Sequence, residues 1–446
     1  MQPLLIILLL LSVVFIVFST TKLKLHPFLA LIFAALGFGI LAGMPLDQVI
    51  ESVTEGFGRT LGSIGIVIVA GIILGTFLEK SGGAFTLADS VLKLTGRKNV
   101  PLAMAIIGYI VAIPVFCDSG FVILSPLNKA LTKKAGMSLA VSAIALSLGL
   151  YATHTMVPPT PGPIAAAGLL EADLGLVIVW GLVVSIPALL VGWLFALNFG
   201  SRTYIDPEPE IDEAEINQMM REGPSALKAF LPIAVPIVLI LSKSIADYPT
   251  NPLGEGFLQG FVSFVGNPLI ALMIGVIISW SLPKKFNLEL LSDRGWVGKA
   301  LLDSASIILI TGAGGSFGRV LQNSGIAEVI GNNLAGGNLG ILLPFIISSA
   351  IKTAQGSSTV AIVTTATLLA PLLGVLNLDA PVDRALTVIA IGAGAMVVSH
   401  ANDSYFWVVS QFSRMTTEQA FKLQTLGTFT EGVAAGLVVW IISLIV

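Results

Sequence analysis

Cysteine is almost missing from this chain: Cys117 is the only one in 446 residues. A single thiol excludes an intrachain disulfide and any cysteine-based zinc site. Charge is scarce too. Only 11% of the residues are Asp, Glu, Lys or Arg, against about 25% in soluble domains. The 23 basic and 26 acidic residues leave a formal charge of −3, with no basic patch of the kind a nucleic-acid binder needs. No long polar stretch is available for a second, extramembrane domain. The longest polar piece, Ser201 to Pro224, is acidic and reads as a linker.

What is present is hydrocarbon. The composition is 55% hydrophobic and the mean hydropathy is +0.93. Apolar runs of spanning length recur throughout the chain, which reads as an all-α polytopic membrane protein whose partner is the lipid bilayer. Spanning helices are expected at 3–20, 27–44, 60–79, 138–153 (continuing past a break to 170) and 175–199. A second set is expected at 228–246, 267–283, 303–321, 383–399 (continuing past a break to 420) and 427–446. Two further apolar regions, 100–128 and 339–376, are interrupted in the middle. Ala84–Thr95 and Ile326–Leu334 read as short interfacial helices. Met1 to Thr20 has neither a positive leader nor a small-residue cleavage site, so it reads as an anchor with its N-terminus outside.

The halves resemble each other. Gly75–Gly82 matches Gly318–Gly325 at four of eight positions, Ala112–Ser119 matches Ala350–Ser357 at Ala, Ile and Ser, and Thr153-His154 matches Ser399-His400. The offsets are 243, 238 and 246, so the order is kept at near-constant spacing. This predicts an inverted-topology repeat of about 5 spanning helices plus one re-entrant hairpin per half, with broken helices at the midplane. The expected division is 1–200 for the first repeat, 201–227 for a cytoplasmic acidic linker, and 228–446 for the second repeat. With both termini outside, 18 of the 23 Lys and Arg fall inside, Arg59, Lys243, Arg319 and Arg384 fall outside, and Lys352 lies in the second hairpin. That asymmetry obeys the positive-inside rule.

The interruptions carry the chemistry. Pro114 and Gly120 bracket the first hairpin tip, freeing backbone groups that only protein or a water-filled cavity can satisfy at membrane depth. Asp118 lies between them, and a charge there costs about 2.5–3.5 kcal/mol unless it is protonated, paired or wet. Asp118, Ser119 and Gly120 are therefore binding candidates. The mirror tip offers Gln355, Gly356, Ser357, Ser358 and Thr359. Lys352 beside it could meet a substrate carboxylate, pair with Asp118, or reach out to the interface. Thr153, His154 and Thr155 open a break holding four prolines, after which a half-helix restarts with its positive end near the membrane centre. The mirror break holds His400, Asn402 and Asp403, where Asp403 is either a helix N-cap or a proton carrier. Asp118, Asp403 and His154 are the candidate proton-coupling groups. The histidines have no metal-ligand spacing, so no metal and no cofactor is expected. Ser119 or Ser358 with a histidine could suggest a membrane protease, but neither serine has G-x-S-G surroundings. Glu431 and Asp303 are placed near the cytoplasmic face with no role.

Four stretches together resemble the gluconate permease (GntP) family over nearly the whole chain: His26–Leu31, Val157–Pro163, Gly312–Phe317 and Asn402–Trp407. The resemblance implies a bacterial inner-membrane symporter for gluconate, a related sugar acid or D-serine, coupled to protons. It implies a homodimer that moves a transport domain past a scaffold, with a small organic anion held between two hairpin tips. Sodium coupling is the rival, since carbonyls and hydroxyls also suit Na⁺. The chain departs from the family pattern at Asp118, where many members carry Glu, and at Thr160, where many carry His. Both departures imply a smaller or different substrate. A channel or an intramembrane enzyme is the alternative of another class.

Overall fold

The computed structural model describes residues 2–96, 99–208, 223–247, 252–254, 256–326, 329 and 339–446. Part of the expected linker, and nearly all of the interfacial helix expected at Ile326–Leu334, fall outside the described residues. Those described form helices, turns and loops, with no strand among them.

The first half opens with α1 (Gln2–Thr21) and α2 (Pro27–Leu41). His26 caps α2 by accepting from the Phe28 amide, with Pro27 in the first helical position, where its missing N–H costs nothing. A single helix, α3, then runs from Leu46 to Lys80 through one π turn at Leu61–Gly65. After the short α4 (Gly83–Thr95), α5 (Val100–Val111) and α6 (Cys117–Lys134) form the interrupted pair. The broken helix follows as α7 (Leu139–His154) and α8 (Pro161–Leu169), and α9 (Leu174–Gly200) closes the half. The second half holds α10 (Ala226–Ala246), α11 (Phe257–Val265), α12 (Pro268–Ser279) and α13 (Trp296–Asn323). Its interrupted pair is α14 (Leu342–Gln355) and α15 (Ser358–Leu369), its broken helix α16 (Pro381–Gly394) and α17 (Ser404–Phe412), and its last helix α18 (Thr417–Ser443). Among the described residues, the helices long and apolar enough to cross a membrane alone include α3, α9, α10 and α18; α11 and α12 together make a span bent by 62°.

The helices pack so that their partners exchange when the halves are swapped. α2 lies on α13 as α12 lies on α3, α5 on α7 as α14 on α16, and α1 on α2 as α10 on α12. α6, which starts at the first hairpin tip, packs against α17 of the other half, and α15 packs against α8. The half-helices on either side of the breaks are thus buried against the opposite half.

Three expected boundaries move. The span expected at 60–79 is the later part of α3, which begins at Leu46. Asp47, Glu51, Glu55 and Arg59 recur every fourth residue and share one helical face; Glu55 meets Arg319 at 2.9 Å and Arg59 meets Glu171 at 2.7 Å. The span expected at 303–321 starts at Trp296. The chain expected to continue to 420 stops at Phe412, and Thr416 opens α18 with a capping box: its hydroxyl accepts from the Gln419 amide, and the Gln419 side chain accepts from the Thr416 amide. Glu431 is therefore a mid-helix residue, fully buried.

Two glycines on α3 set the depth of both breaks in the first half. A Cβ at Gly71 would lie 2.7 Å from the Pro159 carbonyl oxygen, and one at Gly75 would collide with the Pro114 carbonyl oxygen. The hairpin tip and the proline-rich break therefore rest directly on bare helix backbone. Gly75→Val is expected to push the Pro114 tip off α3 and to destabilise by about 1–3 kcal/mol. Thermal unfolding of the purified variant checks this; an unchanged melting temperature would refute the close contact.

Candidate functional site

The centre of the site is a buried ion pair. Lys352, in the last turn of α14, has no exposed surface. Its Nζ donates to Asp403 Oδ2 at 2.6 Å and to the Gly356 carbonyl oxygen, and lies 5.8 Å from the centre of the Tyr151 ring. Of the fates open to Lys352 in the sequence, neither pairing with Asp118 nor reaching the interface occurs. Asp403 sits ahead of α17 and caps it, with Oδ1 accepting from the Tyr405 amide at 3.1 Å. Its Oδ2 also accepts from Ser399 Oγ at 2.5 Å and from the Tyr151 hydroxyl at 3.5 Å. Four donors converge on one carboxylate, three of them on Oδ2, so Asp403 is both the helix cap and the counter-ion of Lys352 in this conformation.

Gly356 makes this geometry possible. Its φ of +85° ends α14 in the left-handed region, which glycine enters without steric cost. A Cβ there would also strike the Asn402 carbonyl oxygen. The second tip is consequently clamped to the second break. His400 Nε2 contacts the Thr353 carbonyl oxygen at 2.8 Å, and Asn402 Nδ2 donates to the Thr353 and Ala354 carbonyl oxygens at 2.9 and 3.1 Å. These side chains satisfy the open carbonyls of the last turn of α14.

Two further hydroxyl bridges join the halves beside the ion pair. Tyr151 of α7 and Ser358 at the start of α15 share a 2.5 Å hydrogen bond. Ser404 at the start of α17 donates to Asp118 Oδ1 at 3.3 Å. The N-termini of α6, α15 and α17 thus gather around the ion pair, each bringing free N–H groups and a positive dipole end. Asp118 and Ser119 are half-buried, while Ser357 is exposed and caps α15 by accepting from Val360.

Other expected residues are placed for structure. Thr153 Oγ1 donates to the Tyr109 carbonyl oxygen at 2.8 Å, tying the first break to α5, and Thr155 Oγ1 donates to Tyr151 O at 3.3 Å. Thr160 Oγ1 turns back to Val157 O at 2.7 Å. Gly120 packs against Leu150, and Thr359 is half-buried on α15. Neither Ser119 nor Ser358 bonds a histidine among the described residues. Two groups, one at the first break and one at the second tip, stay shielded and without a partner among the described residues: His154 Nδ1, on a ring 5.9 Å from that of Phe116, and both amide atoms of Gln355. Buried polar atoms without partners are rare, and these are free to meet a polar solute.

Tyr151 escapes the sequence reading, and Ser399 and Ser404, noted there at the second break, are not among its binding candidates. Tyr151 and Ser404 find their partners across the fold, while Ser399 meets Asp403 four residues on in the same break. A weak signal existed for Lys352 with Asp403, because a cation alone in one interruption requires an anion from another.

With Lys352 at +1 and Asp403 and Asp118 at −1 each, the site carries a net −1 when both acids are ionised. It can bind a small acid through helix N-termini, hydroxyls and amides, provided a cation offsets the combined negative charge.

Comparisons with known proteins follow the same line. The family model described as GntP family permease matches residues 4–445. The chain is 33% identical over 422 residues to a gluconate permease of Pseudomonas aeruginosa, covering 93% of this chain and 92% of that one. It is 34% identical over 443 residues to the D-serine transporter DsdX of Escherichia coli strain K12, covering 98% of each. The crystal structure of the Alcanivorax borkumensis YdaH transporter shares the fold, with a TM-score of 0.65 at 17% identity, over 94% of this chain and 98% of that one. This chain belongs to the GntP permease family.

Proposed function

We propose that the protein imports gluconate or a related small hydroxy or amino acid across the bacterial inner membrane by proton symport. The relatives' names supply the substrate class; the charge count at the hairpin tips supplies the need for a coupling cation. A bound monoanion brings the site from −1 to −2. An anion entering a negative-inside cell also works against about 2.3 kcal/mol per 100 mV. One proton on Asp118 relieves both, and Asp118 is the half-exposed carboxyl of the pair. Asp403, the other acid expected to couple, is held by Lys352, Ser399 and the Tyr405 amide in this conformation.

The working unit is two inverted halves, 1–200 and 228–446, joined by a cytoplasmic linker at 201–227 and acting as a homodimer. An elevator movement carries the tips past α3 and α13. The exchange of packing partners between halves supports the repeat. The sidedness draws support from one cavity of about 330 Å³: Arg59, Arg319 and Arg384, three of the four cations expected outside, line it together with Glu171. Carriers rather than enzymes are the named relatives, and the tips hold no nucleophile–histidine pair among the described residues.

Uptake of labelled gluconate into proteoliposomes, driven by an inside-alkaline pH gradient without sodium, tests the reading. Unlabelled glycerate, D-serine and other sugar acids serve as competitors. Accumulation abolished by a protonophore is the expected result. Uptake that needs a sodium gradient would overturn the coupling, and uptake of a smaller acid alone would overturn gluconate. Chemical conversion of the substrate would overturn transport itself.

A further inference from the structure

Glu431 lies in the middle of α18 with no exposed surface, and neither of its carboxyl oxygens has a hydrogen-bond partner among the described residues. It is the only Asp, Glu, Lys or Arg from Leu426 to Ser443. The helices packed on this stretch are α7, α9, α14 and α16. α9 carries no charged residue at all, and α7 offers only Tyr151 and His154. α16 has Asp383 and Arg384 in its first turn, at the opposite end from the break. Lys352 of α14 is taken by Asp403, and Tyr405 of α17 donates to Ser147 O at 2.9 Å. Among the described residues no cation is there to balance a carboxylate. An ionised group in this setting would cost far more than a neutral one, because nothing repays its lost hydration.

Glu431 is also connected to the candidate site. A Cβ on Gly192 of α9 would sit 3.2 Å from Glu431 Oε1, so a bare glycine makes the room the carboxyl occupies. One and two turns earlier on α18, Thr428 and Thr425 grip the second break: Thr428 Oγ1 accepts from the Ser399 amide at 3.0 Å, and Thr425 Oγ1 donates to Ser399 O at 2.6 Å. Ser399 is the residue whose hydroxyl bonds Asp403. Any movement of the break that opens the site pulls on the turn of α18 just below Glu431.

We propose that Glu431 is a second proton-binding site, separate from the hairpin tips, which holds a proton in this packed conformation and gives it up when the α18–α9 seam opens during the transport cycle. The inference rests on the proton-symport reading and adds one proton to its stoichiometry.

The experiment is the equilibrium accumulation of labelled substrate in proteoliposomes clamped at zero membrane potential, measured against the size of the pH gradient. The slope reports protons per substrate and is independent of turnover rate. Two protons give about a hundredfold accumulation per pH unit, one gives about tenfold. Glu431→Gln is expected to lower the wild-type slope by one proton, a tenfold loss per pH unit. An unchanged slope overturns the inference, while a wild-type slope of zero overturns proton symport itself, a separate failure. Glu431→Met keeps the test open if the amide folds badly. A neutral, unpartnered acid can be replaced by an apolar side chain of similar size with little cost, so this variant should melt at or above the wild-type temperature. A marked fall would show that Glu431 is charged and paired, and would overturn the proposal.

Discussion

Asp403→Asn is expected to abolish transport and to destabilise the protein by about 3–5 kcal/mol, the usual penalty for stranding one member of a buried ion pair. The loss would not come from the helix cap, because asparagine caps α17 as well as aspartate does. It would come from Lys352, which has no exposed surface and would keep only the Gly356 carbonyl oxygen and the Tyr151 ring face. Lys352→Met should be similarly harmful, because it strands the carboxylate instead. The double variant Lys352→Met/Asp403→Asn should recover most of the stability, since neither uncompensated charge remains, yet still fail to transport. Thermal unfolding and substrate counterflow measure the two effects separately. A single Asp403→Asn variant as stable as the wild type would mean that the pair is not ionised, and the charge count at the site would fall with it.

The parts of this fold legible in the sequence were those written in short-range pattern. Apolar runs located the helices, and interruptions such as Pro114 to Gly120 and Gly356-Ser357 located the tips, because proline, glycine and carboxylate cannot hide in lipid-facing helix. The likeness of the two halves was legible because glycines and hydroxyls recur at offsets of 243, 238 and 246. Helix starts rich in charge were read too late. Asp47, Glu51, Glu55 and Arg59 mark a helical face, yet a search for apolar length passes over them, and the same blindness hid the start of α18 at Thr417. What stayed hidden was which side chains from separate interruptions pair. Nothing local tells Ser404 to meet Asp118, Tyr151 to meet Ser358, or Lys352 to choose Asp403 over Asp118. The two contacts between the halves, Ser404 with Asp118 and Tyr151 with Ser358, follow how α6 packs on α17 and α15 on α8.

Asp118→Asn should leave the fold intact and lower the coupling slope by one proton, about tenfold in accumulation per pH unit. Asp118 is half-buried and its recorded partners are weak: Ser404 Oγ at 3.3 Å and the Cys117 thiol at 3.7 Å. An asparagine oxygen can accept the same Ser404 bond, so stability should change far less than at Asp403. The variant differs from Glu431→Gln in one respect that separates the two sites. Asp118 stands among the helix N-termini where the solute would lie, so its neutralisation should also change substrate affinity. Glu431 lies on the far side of Ser399, and its neutralisation should change stoichiometry with little effect on which acids compete. Asp118→Glu completes the comparison. The longer acid keeps a titratable group at the tip, so the slope should hold at its wild-type value, while the extra methylene takes volume from the solute and should alter the order in which gluconate, glycerate and D-serine compete. A slope that falls with glutamate would mean that the position of the carboxyl, and not only its charge, determines proton loading at this tip.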